Sequence, residues 1–138
     1  MLADLAMERG VPQLYVSTTE GARGGLVARV VPGVTGCWMC LQRHLDDNKE
    51  IPAPPRDKTA TVQPRGCSTL TFRGAGFDIA PVVAQGARVA ASMLSDEDED
   101  DARCDVFVCA FGEDRLLPPR WSAHRLTRHP ECSICANS

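Results

Sequence analysis

The chain has 138 residues, of which 43% are hydrophobic and only 5% aromatic, so it can form one domain whose core leans on Val, Leu, Ile and Ala. A net charge of -3 with no basic stripe argues against nucleic acid as a partner. No apolar run reaches the roughly 18–20 residues of a membrane span, which argues against a membrane protein. Met1 to Gly10 lacks the basic and apolar regions of a signal peptide, so the chain is expected in the cytoplasm. In a reducing compartment its seven cysteines point to metal binding or thiol chemistry, not to a disulfide framework.

Met1 to Arg9 reads as the last turns of a helix, stopped by Gly10. Val11 to Val16 follows as a short strand whose apolar content predicts burial in a sheet. Helix into strand is half of a βαβ unit, and no strand precedes it, so the chain is expected to begin inside a fold. Gly21, Gly24 and Gly25 mark a turn, and Leu26 to Val31 alternates as a second strand ended by Pro32-Gly33. Gln42 to Gln63 holds Pro52, Pro54 and Pro55 among many charges and reads as a long mobile loop, 42–63.

Asp78 to Leu94 is the clearest helix, with Asp78 as its cap and Pro81 in its first turn. Its expected apolar face is Ile79, Val82, Val83, Gly86, Ala87, Ala90, Met93 and Leu94. The segment 95–103, with its acidic run Asp96 to Asp101, reads as a solvated linker. Asp105 to Phe111 is a strand, and Arg115 to Trp121 is its expected hairpin partner, confined to an edge by Pro118-Pro119.

Cys37-Trp38-Met39-Cys40 and Cys132-Ser133-Ile134-Cys135 are two Cys-x-x-Cys pairs, which together can complete a tetrahedron of sulfur around one zinc ion. Roughly 90 residues separate the pairs, against about 15–20 in a zinc ribbon. The site would therefore staple a mid-chain turn to the tail of a larger domain. Four protein ligands leave no position open for water, so the zinc is structural. A separate redox role for Cys37-Trp38-Met39-Cys40 is the alternative. His129 lies near Cys132 but is not needed as a ligand. Cys104 and Cys109 read as core residues. His44 and His124 belong to no motif, while Trp38 is expected near the metal and Trp121 near the hairpin. Gly74-Ala75-Gly76 lacks the third glycine of a phosphate-binding loop and reads as a turn before the Asp78 helix.

Four segments in order carry a resemblance. They are Arg9-Gly10-Val11-Pro12; Val31 to Leu41 around Cys37 and Cys40; Gly66-Cys67-Ser68 with Thr71 to Asp78; and His129 to Cys135. Together they resemble the C-terminal part of the ThiF/MoeB/HesA family, bacterial relatives of ubiquitin-activating enzymes. The resemblance implies an α/β fold with a partial Rossmann-like sheet, a long helix, a β-hairpin and a four-cysteine zinc site. It implies that 1–138 is the C-terminal portion of a ThiF-type domain. It further implies adenylation, with ATP and Mg2+, of the C-terminus of a ubiquitin-like or sulfur-carrier protein.

The family's nucleotide-binding glycines have no counterpart here. Activity is therefore expected only beside an N-terminal or separate ATP-binding half, and a homodimer is also implied. Cys67, beside Arg65 in the crossover region, is the candidate nucleophile. The rival functions are a non-catalytic zinc-stabilised interaction module and a thiol redox protein.

Overall fold

The computed structural model describes residues 2–62, 71–72, 74, 76–95, 104–114 and 116–135. In chain order the elements are α1 (Leu2–Glu8), β1 (Gln13–Thr18), β2 (Gly24–Val30), α2 (Trp38–Asp47), β3 (Thr61–Val62), β4 (Thr71–Phe72), α3 (Gly76–Leu94), β5 (Val106–Ala110) and β6 (Arg120–His124). A four-stranded sheet runs in the order β1-β2-β5-β6, and β3 pairs with β4 apart from it. Every pairing in both sheets is antiparallel. The fold is thus α/β with a long helix, and the expected Rossmann-like parallel unit is absent among the described residues. Residues 19–23 explain the first pairing, because they are too few for a parallel crossover between β1 and β2.

α1 ends as its sequence predicts. The Val11 N–H reaches Ala6 O at 2.8 Å and the Gly10 N–H reaches Met7 O at 3.2 Å, a Schellman closure. β1 is an edge strand and only half buried, not the buried strand expected from its apolar content. β5 and β6 form the predicted hairpin, with the return strand at Arg120–His124 instead of 115–121. Pro118 and Pro119 fall in the connection, where they remove no ladder hydrogen bond.

Side chains along β2 and β5 alternate between two cores. Val27 and Cys109 join Val82, Val89 and Phe111 beneath α3. Leu26, Ala28, Val30, Val106 and Val108 face the opposite side, with Cys37, Cys40, Leu41, Ile51, Leu126 and Cys132. Covering both faces explains why β2 is apolar nearly throughout. α3 approaches β1 closely through Gly86, where a Cβ would stand 2.9 Å from Val16 Cγ2. The buried residues of α3 are Asp78, Val82, Gly86 and Val89, so the stripe is narrower than predicted. Val83 and Leu94 point to solvent, 56% and 86% exposed.

The segment 42–63 is not a loop throughout. Its first six positions belong to α2, and residues 58–62 form a helical turn followed by β3. Between them, Ile51 is fully buried in the thiol-side core. Asn48 Oδ1 accepts from Ala53 N–H at 2.7 Å, the Thr19 hydroxyl donates to Pro55 O, and Asp57 N–H donates to Glu20 O at 2.9 Å. The acidic run 96–101, within the predicted linker 95–103, lies outside the described residues.

Candidate metal centre

β2 runs into a tight turn in which the Thr35 N–H and Val34 N–H both donate to Val31 O at 3.0 Å. The Thr35 hydroxyl accepts from Val31 N–H at 3.0 Å and donates to Gly36 O at 2.8 Å. This turn presents Cys37 as the N-cap of α2, with Cys40 one turn inside. Helix N-terminal N–H groups favour negative charge, which suits thiolates there.

The tail after β6 crosses directly over the turn. Gly36 N–H donates to Leu126 O at 2.7 Å. A Cβ on Gly36 would lie 2.4 Å from Thr127 O and 2.9 Å from Cys40 Cβ, so no side chain fits at this crossing.

The crossing delivers Cys132 and Cys135 to the first pair. Cys37 Sγ lies 3.7 Å from Cys40 Sγ and 3.5 Å from Cys132 Sγ, and Cys40 Sγ lies 3.5 Å from Cys135 Sγ. All four sulfurs fall within 4.8 Å of one another. A tetrahedron with metal–sulfur bonds of about 2.3 Å has edges of about 3.8 Å, so this cage matches zinc. A disulfide needs about 2.05 Å between sulfurs, and all four thiols are free. Burial pushes the Cys37 and Cys40 thiols up. Burial also opposes ionisation of Cys132, yet hydrogen bonds from the Cys135 N–H, the Cys40 and Cys37 thiols and the Ile134 N–H draw it down to about 7. Cys132 thus ionises more readily than Cys37 or Cys40.

Around the sulfurs lies a shell that sequence reasoning missed. Cys40, His44 and Asp47 recur at helical spacing on α2 and meet the tail together. His44 and His129 are only 5% and 7% exposed, with rings edge-to-face at 4.9 Å. His44 Nε2–H donates to Thr127 O at 3.1 Å. His129 Nδ1 accepts from Glu131 N–H at 3.1 Å, which leaves its Nε2–H to donate to Asp47 Oδ2 at 3.1 Å. The His129 main-chain N–H donates to Cys40 Sγ at 3.3 Å. His129 therefore meets the cage through its main chain, while both its ring nitrogens are engaged by Glu131 and Asp47.

Of the other residues singled out, Trp38 opens α2 between the paired cysteines and donates from Nε1 to Asp4 Oδ1 at 3.1 Å. Trp121 lies on β6, and His124 Nε2 lies 2.9 Å from Ser122 Oγ. Cys109 is buried, which pushes its thiol up to about 11, and Cys104 is half-buried. Cys67, the candidate nucleophile, lies outside the described residues. No helix among the described residues is long and apolar enough to cross a membrane.

No family model matches the chain. Two proteins of Sinorhizobium fredii, y4oA and y4qC, both described as uncharacterized, are similar to it in sequence. They are 36% identical over 134 residues and 34% identical over 139 residues, covering 95% and 96% of this chain. The chain spans only 22% and 24% of their lengths. Among solved structures, Escherichia coli MccB, crystallised with selenomethionine MccA, shares the fold. Its TM-score is 0.55 at 15% identity, over 97% of this chain and 34% of MccB.

Proposed function

We propose that this chain is the zinc-stapled portion of a larger ThiF-type adenylating enzyme. The observation that carries this reading is the four-thiol cage set in a fold shared with MccB across nearly the whole chain. That fold likeness supports a distant adenylyltransferase-like relationship. The order of the motifs around Cys37, Cys40, Cys132 and Cys135 supports the ThiF assignment.

In this reading the chain's own residues do structural work. Cys37 and Cys40 at the start of α2, and Cys132 and Cys135 on the tail, would hold zinc. The ion supplies a rigid four-thiolate link that ties the tail to the turn after β2. In this reading nucleotide binding belongs to another part of the enzyme, since Gly74-Ala75-Gly76 lacks the third glycine of a phosphate-binding loop. The complete enzyme would join the terminal carboxylate of a small carrier protein to the α-phosphate of ATP, releasing pyrophosphate. Cys67 is the proposed acceptor of the acyl group, with AMP leaving and the thiol proton lost to solvent.

The test is ATP–pyrophosphate exchange by the full-length protein, with and without small proteins encoded beside it. Carrier-dependent exchange supports the adenylating reading. A full-length protein that binds such a carrier but exchanges no pyrophosphate supports the interaction-module reading instead. Cys67 is tested separately by mass spectrometry for a hydroxylamine-sensitive adduct, whose absence removes it from the mechanism.

A further inference from the structure

The tail reaches the thiol cage over a backbone crossing at Gly36, and two buried histidines brace that crossing, His44 from α2 and His129 from the tail. On one side, His44 grips the Thr127 carbonyl at 3.1 Å. The Thr127 hydroxyl lies 3.3 Å from both His44 Nε2 and Glu50 Oε2. On the other side, His129 grips Asp47 at 3.1 Å. Between them, the His129 N–H points at Cys40 Sγ. A main-chain N–H directed at a thiolate stabilises its charge and fixes its direction. That direction persists only while residue 129 stays in place; Cys132 N–H and Glu131 N–H hold it within the tail, and the ring's bond to Asp47 ties it to α2.

We propose that His129 is a positioning residue of the thiol cage: clamped to Asp47, it holds its own main-chain N–H on Cys40 Sγ and slows escape of a bound metal. The inference rests on the metal reading above and goes beyond it, since it assigns retention of the ion to a side chain that does not ligate. Both His129 ring nitrogens are already engaged, by Asp47 and by Glu131 N–H, which argues against a ligand role. The amide of Gln can stand in for Nε2–H toward Asp47, and Asn at position 47 keeps an acceptor oxygen. These two conservative changes preserve the clamp, whereas Ala removes it.

The experiment loads the chain with cobalt(II), records its absorption, and follows first-order release into excess EDTA. Loss of an outer partner of a metal ligand typically weakens the site about 10–100-fold. Release should therefore be about 10-fold faster or more in His129→Ala and Asp47→Ala. His129→Gln and Asp47→Asn should stay near the wild-type rate. All variants should keep the sulfur-to-cobalt charge-transfer bands of a four-thiolate site. Asp47 is half exposed, so its Ala variant keeps the test open if His129→Ala misfolds. Unchanged release in Asp47→Ala, or equally fast release in the conservative variants, overturns the proposal. A wild-type chain that gives no four-thiolate cobalt spectrum overturns the metal reading instead.

Discussion

Beneath α3 the sheet is closed by Val27, Val82, Val89 and Cys109, all carried on regular elements, and by Phe111 just past the end of β5. On the opposite face it is closed partly by a tail whose apolar contribution is mainly Leu126 and Ile134. The first face is held by burial of side chains worth about 1.5–3 kcal/mol each, and it needs nothing beyond the chain. The second brings together four thiols, two histidines and a backbone crossing, held by hydrogen bonds among groups that offer little apolar surface. In the proposed reading one sheet thus carries a face closed by apolar packing and a face that a metal would staple. The tail is the element whose docking the proposed metal would secure.

The strongest way to break this contrast is Cys132→Ser. Zinc in four-thiolate sites contributes on the order of 10 kcal/mol to folding, and losing one ligand should remove a large part of it. Denaturant titration of the zinc-loaded protein measures the loss, which should exceed that of any substitution beneath α3.

Acid should act in the same direction. Burial raises Cys37 and Cys40, so protons compete with metal for these thiols, and affinity falls as the pH falls. The fall steepens below about 7, where Cys132 also takes up a proton. In the metal-free chain the sign for Cys132 is the same, since its pKa is lowered by folding. The stability it adds is complete above the unfolded thiol range and is lost as the pH drops through about 7. Metal titrations across a pH series check the first effect, and denaturation of the chelated protein checks the second.

Gly36→Ala comes next. Its methyl would press on Thr127 O and Cys40 Cβ, costing about 2–4 kcal/mol and lowering metal occupancy together with stability. Val82→Ala sharpens the contrast from the other face. It should cost about 2 kcal/mol in the same denaturation assay and leave metal content unchanged. The smallest effect is expected for Val83→Thr on the solvent side of α3, within about 0.5 kcal/mol. A large loss there would mean that α3 carries a further packed face.

Much of this contrast was legible in the sequence. The two Cys-x-x-Cys pairs depend on local spacing, and the structure brings all four sulfurs together. The alternation of Leu26 to Val31 and the period of the Asp78 helix are local patterns too, and each became an element, the strand at Gly24–Val30. What the sequence hid depends on distant partners. The antiparallel pairing of β2 with β5 joins strands far apart in the chain, and no local pattern sets its direction. α2 was obscured because its apolar stripe is short and ends in a Pro-rich stretch, although Cys40, Leu41 and His44 share its buried face. The histidine clamp was hidden because Asp47 and His129 meet only where the tail crosses at Gly36. A spacing of four and then three residues from Cys40 to His44 to Asp47 was the available signal.

The central claim is that the four sulfurs form a metal site and not a set of idle or redox-active thiols. Native mass spectrometry of protein purified without chelator tests it directly, read together with elemental analysis. The account predicts one zinc ion per chain, lost together with the fold of the tail in Cys37→Ser. A folded, metal-free chain that stays equally stable with chelator, or one whose mass shows the cysteines oxidised to disulfides, would contradict it.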